Sequence, residues 1–376
     1  MVDNQIFCDA LIRNKISFFT GVPDSLLKDF CAYISDQKES VCHIIAANEG
    51  NATALAAGHY LATGNPCLVY MQNSGLGNAL NPLISLADHE AYSIPMLLLI
   101  GWRGEPDTED EPQHVKQGKI TLPLLETLGI KYDIIPNDSD EAIGVLDVAV
   151  DTACTDLSPY GLVVRKGIFA RYESSKQEAE AYSMIREEVI NEFVSFLGPE
   201  DVVISTTGKI SRELFECRAT LGQEQFGRDF LMVGSMGHAS QIALGVALAH
   251  PDRQVFCLDG DGSLIMHLGS LAIIGSQQPR NLKIVILNNG AHDSVGGQPT
   301  AGFDIDIPAA ALACGFETAL KAETRQELRC QQVILKATPG PSLLEIRVKK
   351  GARSDLGRPT ITPVENKLRF MEFLKS

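Results

Sequence analysis

Short, almost wholly apolar runs recur along both halves of this chain, separated by stretches of helical spacing, and that alternation points to layered α/β domains. In the first half the runs fall at 17–21, 43–46, 67–71, 96–101 and 132–135, with a last one at 161–165. Helical candidates at 48–62 and 79–87 lie between them. Runs that are apolar on both faces and joined through helices suit a mostly parallel sheet flanked by helices. A polar, charged stretch at 172–181 (YESSKQEAEA) follows, then a helical pattern that stops at Gly198-Pro199. The alternation resumes after it, with strands expected at 201–205, 254–259, 283–288 and 342–347. A chain of 376 residues has material for two cores. The boundary is expected near residue 175, giving domains at 1–175 and 176–376. No internal sequence repeat or low-complexity segment stands out.

Charge narrows the possible partners. A formal net charge of −15, with no cluster of lysines and arginines, argues against a nucleic-acid surface, because phosphate backbones are met by grouped cations. The longest apolar run, 94–101 around Pro95, is far short of the roughly 20 residues that cross a bilayer, so a buried strand is expected there and no membrane association. Asp3 and Asp9 stand where a secretory leader would carry a positive start, so no export signal is expected. Nine cysteines are scattered singly without a CxxC pair, which fits reduced core positions in a cytoplasmic protein. An anionic small molecule would have to be drawn in by local cations working against this global field.

The second half contains the arrangement best suited to chemistry. The strand 255–258 runs into Asp259-Gly260-Asp261-Gly262-Ser263, and a helix is expected from about Leu264. Glycines let backbone amides approach a ligand, and a helix start offers free N–H groups to an anion, so this turn can cradle phosphate. A second apolar strand, IVIL, ends in Asn288-Asn289-Gly290. If the two strands are neighbours, its amide oxygens come beside the turn. A carboxylate and an amide oxygen are the hard donors that magnesium prefers when it bridges phosphates. Read alone, the first motif also describes a tight strand-to-helix turn capped by Asp261, with Asn289 in a turn of its own. The partner Asn pair favours the ligand reading.

Gly-Asp-Gly-Ser at 260–263 followed by Asn-Asn at 288–289 resembles the signature of thiamine diphosphate-dependent enzymes, and the chain is similar to their 2-oxo acid decarboxylases. The resemblance implies two consecutive thiamine diphosphate-binding domains, pyrimidine-binding then diphosphate-binding. Each would be a mostly parallel sheet flanked by helices, with no room for the middle domain of larger members. It implies thiamine diphosphate and Mg2+ as cofactors, with Asp261, Asn289 and the carbonyl of Ala291 as metal ligands; Asn288 replaces Asn289 if the register slips by one. Gly262, Ser263, Thr207 and Gly208 would lie against the cofactor. Glu49, in Asn48-Glu49-Gly50 at a helix start, matches the glutamate that bonds the aminopyrimidine ring and promotes the reactive ylid. By itself it is a first-turn acid favoured by the helix dipole. Val233 to His238 resembles a loop whose large apolar residue bends the cofactor, which gives Met236 that role and the carbonyl of Gly234 a bond to the amino group. An isolated Met is otherwise core filler. Gly75-Leu76-Gly77 lacks the third glycine of a dinucleotide fingerprint and receives no cofactor role.

The two-domain layout resembles the phosphonopyruvate and sulfopyruvate decarboxylases, and the segments 20–25, 110–118 and 296–300 are similar to the former. What this implies is decarboxylation of 3-phosphonopyruvate to phosphonoacetaldehyde and CO2, an early step of phosphonate biosynthesis. Sulfopyruvate or a simple 2-oxo acid is the alternative substrate. A non-catalytic cofactor-binding module or a Rossmann-type nucleotide binder is the alternative of another class. Asp24 matches a carboxylate near the reacting carbon, and His114 stands where a proton donor or orienting group belongs; locally they also read as a turn and a solvated loop. The glutamate that follows the double Asn in pyruvate enzymes is missing, with Val295 near its place. Arg103, His114, Lys116 and Lys119 fall in or beside one loop after the strand 96–101. With Asp24 and Ser25, the first three of these are the expected substrate residues, although the acids between 105 and 111 equally fit a salt-bridged surface loop. Family members hold the cofactor across a subunit boundary. The expected partners are therefore a small-molecule 2-oxo acid and a second copy of the chain, in a homodimer or larger homo-oligomer with active sites between subunits.

Overall fold

Leucine-, valine- and isoleucine-rich runs without a polar face must be covered on both sides, and here alternate residues of one strand enter two different cores. The computed structural model describes every residue except 38, 175–181 and 223–225. Its described strands form two six-stranded sheets in which every ladder is parallel. The chain divides into the units Met1–Glu178 and Ala179–Ser376; the boundary expected near 175 lies outside the described residues.

The first unit contains β1 (Phe18–Gly21), β2 (Cys42–Ile45), β3 (Cys67–Gln72), β4 (Met96–Gly101), β5 (Lys131–Ile134) and β6 (Pro159–Val164), in the spatial order β2-β1-β3-β4-β6-β5. Leu68 and Tyr70 of β3 join one core with Phe7, Phe30 and Leu146. Cys67, Val69 and Met71 join the other, with Ala52, Ala56 and Leu83. The second unit contains β7 (Val202–Ser205), β8 (Asp229–Leu231), β9 (Val255–Gly260), β10 (Leu282–Asn288), β11 (Thr318–Ala322) and β12 (Ser342–Arg347), in the order β8-β7-β9-β10-β12-β11. Counted from its own first strand, it repeats the order of the first unit. That likeness of topology is invisible as a sequence repeat, because burial fixes the alternation of residue classes and not their identities.

Three expectations need correction. The run at 161–165 is Pro159–Val164, and it lies inside the sheet between β4 and β5. β8 and β11 were not expected; both are short edge strands, and their mixed sequences, DFL and TALKA, carry little apolar signal. The helix after β9 starts at Asp261 and not near Leu264, with Gly260 as its last extended neighbour, so the acidic motif is itself the first helical turn. In each unit the sheet order reverses beside its first strand, between β1 and β3 and between β7 and β9. Crevices at such switch points, outside the carboxyl ends of the strands, are the usual ligand sites of open parallel sheets.

Among the described residues no helix is long and apolar enough to cross a membrane. All nine cysteines are free.

Candidate active site

In the first unit, the loops leaving β1, β3 and β4 meet around one carboxyl group. Asp24 is fully buried after β1. The Leu26 amide donates to its Oδ2 at 2.9 Å, and Gln72 at the end of β3 donates through Nε2 to its Oδ1 at 2.7 Å. Burial pushes this carboxyl above the ordinary aspartate range, and the bonds from Gln72 and Leu26 offset only part of the rise. A group so placed can take up and release a proton. Gly101, the last residue of β4, leaves the space that the Asp24 carboxylate occupies.

Two residues further on, Arg103 is held by its backbone and by its head. Asn73 donates to its carbonyl oxygen at 2.8 Å. Its guanidinium donates to Ser25 Oγ at 2.7 Å and forks onto Asp110 at 2.8 and 2.5 Å. His114 shares Asp110, with Nδ1 2.8 Å from Oδ1. Burial alone would raise the Asp110 carboxyl, but donors from Arg103, His114 and the amides of Glu111 and Gly104 hold it far below the ordinary range. The expected loop of cations is therefore partly a helix, Pro112–Thr127. His114 lies on its buried face, whereas Lys116 and Lys119 are exposed. At about 100° per residue, Lys116 sits roughly 200° around the helix from His114. The structure brings Arg103, Ser25 and His114 together and leaves the two lysines outside that group.

Glu49 opens the helix Glu49–Thr63 behind an Asn48 cap, whose Oδ1 accepts from the Asn51 amide at 2.9 Å. It is buried, unlike an ordinary first-turn acid. Asn78 donates through Nδ2 to Glu49 Oε2 at 2.8 Å. Gly75 makes room for the other oxygen: a Cβ there would stand 2.5 Å from Oε1. Gly75 thus has a use that a dinucleotide fingerprint does not describe.

In the second unit the corresponding loops follow β7, β8, β9 and β10. Asp261 is buried, and burial pushes its carboxyl up to about 6. The groups that oppose this rise are all neutral: the Thr300 hydroxyl, which donates to Oδ2, and backbone amides including that of Asn289, 3.3 Å from Oδ1. Asn289 in turn accepts from the Ala291 amide at 3.1 Å, so all three candidate metal ligands belong to one small cluster. The Asn288 amide nitrogen donates to the Gly302 carbonyl and to Glu345 Oε1, each at 2.6 Å, and its Oδ1 accepts from the Gly290 amide at 3.1 Å. Ser263 ties the neighbouring loops to the motif, 3.0 Å from Thr206 Oγ1 and accepting from the Gly237 amide at 3.0 Å. The loop from Gly234 to Gly237 holds Ser235 at φ 53° and Gly237 at φ 88°, and leaves Met236 partly exposed. Thr207 and Gly208 are also partly exposed, at the start of the helix Lys209–Thr220. Asp293 anchors the loop after Asn289 by accepting from Arg186 Nη1 at 2.9 Å and the Gly351 amide at 3.2 Å.

Among the described residues no three His, Cys, Asp or Glu side chains group to bind a metal. A cation beside Asp261 would instead be completed by amide and carbonyl oxygens and by the oxygens of its own ligand. That all-oxygen donor set, around a buried carboxyl opposed only by neutral groups, fits Mg2+ bound to a diphosphate.

Comparison with known proteins agrees with this division. Residues 3–122 match a model of the N-terminal TPP-binding domain of thiamine pyrophosphate enzymes, and residues 208–346 match the corresponding C-terminal TPP-binding domain. The chain is 37% identical to a phosphonopyruvate decarboxylase of Streptomyces viridochromogenes, over 96% of this chain and 91% of that protein. It is 36% identical to one from Streptomyces hygroscopicus, over 95% and 90%. A sulfopyruvate decarboxylase of Methanosarcina acetivorans is 29% identical, over 97% and 96%.

Proposed function

Because the chain belongs to the thiamine pyrophosphate enzymes, and within them to the two-domain decarboxylases, we propose that it decarboxylates 3-phosphonopyruvate to phosphonoacetaldehyde and CO2. The observation that carries the substrate assignment is the near full-length likeness to two phosphonopyruvate decarboxylases. The buried Asp24 in the same strand-end region as Arg103 and His114 supports it, since a doubly anionic substrate needs a fixed cation in an acidic protein.

When bound, thiamine diphosphate supplies the nucleophilic carbon and the charged ring that accepts the electron pair released with CO2. The rest falls to the chain. Asp261, Asn289 and the Ala291 carbonyl hold Mg2+, while Gly262, Ser263, Thr207 and Gly208 face the diphosphate. Asn289 is kept as the ligand with Asn288 as its alternative, since each side-chain oxygen accepts one backbone amide, that of Ala291 for Asn289 and that of Gly290 for Asn288. Glu49 would bond the cofactor's aminopyrimidine ring through Oε1, since Asn78 donates to Oε2. Met236 and the Gly234 carbonyl would lie against the cofactor's rings when it is bound. Asp24 and His114 move protons near the reacting carbon, and Arg103 with Ser25 receives the substrate's anionic groups.

The active form is proposed to be a homodimer or larger, since the cofactor's two ends are assigned to different units of the chain. The nine free cysteines suit a reducing compartment, and the reaction is assigned to the cytoplasm.

Sulfopyruvate is the second reading, favoured by the 29% identical relative that covers both units. Carbon dioxide release from purified protein with phosphonopyruvate, sulfopyruvate and pyruvate separates them. The assignment holds if phosphonopyruvate gives the highest kcat/KM, and it falls if sulfopyruvate does.

A further inference from the structure

We propose that Asp110 is a positioning residue that orients Arg103 and His114 together, so that one carboxylate aligns the anion-receiving group with the proton-moving group. The roles of those two partners rest on the function proposed above; the hold that Asp110 has on them does not. Five donors converge on this side chain. Oδ1 receives Arg103 Nη2 at 2.5 Å, His114 Nδ1 at 2.8 Å and the Glu111 amide at 2.7 Å. Oδ2 receives Arg103 Nε and the Gly104 amide, both at 2.8 Å.

Each contact has a chemical consequence. An ionised carboxylate only accepts, so His114 carries its hydrogen on Nδ1, and Nε2 is the basic nitrogen of the neutral ring. The forked pair fixes the guanidinium plane. With Nη1 also on Ser25 Oγ at 2.7 Å, one N–H on each Nη lies outside these bonds and points in a set direction. The surrounding acids do not share this arrangement: Glu105 pairs with Arg165, and Asp107 and Glu109 are exposed. Only 12% of the Asp110 side chain is exposed, so water screens these contacts little. An asparagine could not replace it quietly, because its NH2 group would face N–H donors whichever way the amide turned.

The test combines Asp110→Asn, the double variant Arg103→Gln/His114→Gln, and the triple variant, all as full-length holoenzyme. Asp110→Asn should lower kcat/KM for phosphonopyruvate roughly ten- to hundredfold, as loss of charge-assisted bonds does. In the double-variant background the same change should cost less than about twofold, because its targets are gone. Asp110→Glu should restore part of the loss. Nitrogen-15 NMR of the wild-type protein should show the His114 hydrogen on Nδ1, and in Asp110→Asn it should no longer be confined there. Equal losses in both backgrounds would mark Asp110 as a general structural residue and overturn the proposal. So would a wild-type His114 with its hydrogen on Nε2. Should wild-type protein decarboxylate none of the three acids, the functional reading fails, and the NMR result still decides whether Asp110 sets His114.

Discussion

The carboxylate of Asp24 occupies the space that a side chain at Gly101 would need: a Cβ on residue 101 would collide with Asp24 Oδ2. The end of β4 is bare so that the loop after β1 can bring its acid across the switch point. Gly101→Ala should therefore act as an active-site mutation without replacing any reacting group. We expect kcat to fall at least roughly tenfold, with overpacking costing on the order of 1–3 kcal/mol in stability. Steady-state kinetics and thermal melts measure both. Unchanged kcat would mean that the position of the Asp24 carboxylate does not matter to turnover.

Glu49→Gln keeps the size of the side chain and can keep the Asn78 contact, so the fold should survive. What it removes is an oxygen able to exchange a proton. Deuterium exchange at the reactive thiazolium carbon of bound cofactor should slow by roughly 10²- to 10⁴-fold, while cofactor affinity changes little. Exchange at the wild-type rate would take Glu49 out of the mechanism.

Removing divalent ions should abolish both turnover and tight cofactor binding, and Mg2+ should restore both. Calorimetry of thiamine diphosphate binding with and without Mg2+ reads this independently of activity. Asp261→Ala should lose the Mg2+ dependence of binding, because the buried carboxyl at the centre of the donor set is gone. Tight, metal-independent binding by the wild-type protein would exclude the proposed ligand set.

Arg103 and Lys116 were grouped by sequence distance and are separated by the helix that carries Lys116. Arg103→Gln should reduce kcat/KM for phosphonopyruvate roughly ten- to hundredfold more than for pyruvate, which has no phosphonate to lose. Lys116→Ala should change either value by less than about twofold, in the manner of an exposed surface charge. The reverse ranking would return Lys116 to the substrate group.

Asp110 also gives a pH signature. Its folded carboxyl lies below the ordinary value of 3.8, so it contributes stability that is present above that value and lost as the pH falls below it. The difference in Tm between wild-type protein and Asp110→Asn should be largest above pH 5 and shrink toward pH 3. A gap that widens on acidification would show that the carboxylate is not held by these donors.

The strands that build the inner sheets were legible because complete burial writes itself as continuous apolar sequence: β3, β4, β10 and β12 differ from their expected limits by one residue at most. Glu49, Asp261 and Asn289 could be named because the segments around them resemble motifs of thiamine diphosphate-dependent enzymes, and Asp261 and Asn289 also directly follow buried strands. Asn73, Asn78 and Gln72 could not. Each matters only through a partner from a distant part of the chain, and the intervals of 29 to 48 residues that separate such partners follow no fixed spacing. Lys116 lies on a different face from His114 for a related reason, since nearness along a chain says nothing about which face of a helix a side chain occupies. Asp110 lay hidden among four other acids, where composition suggested only a solvated loop.

Parallel ladders throughout mean that the chain enters every strand at one rim of its sheet and leaves at the other, and the candidate loops all lie on the leaving side. Among the described residues the entering side includes short returns such as 128–130 before β5 and 157–158 before β6, where Gly129 and Leu157 are exposed. Those returns are the places to splice in a reporter or an affinity tag. Lengthening a flexible loop costs only about 0.6 kcal/mol per doubling, so insertions there should leave turnover intact, whereas a graft of the same size at 102–111 would pull apart the neighbourhood of Asp24, Arg103 and His114.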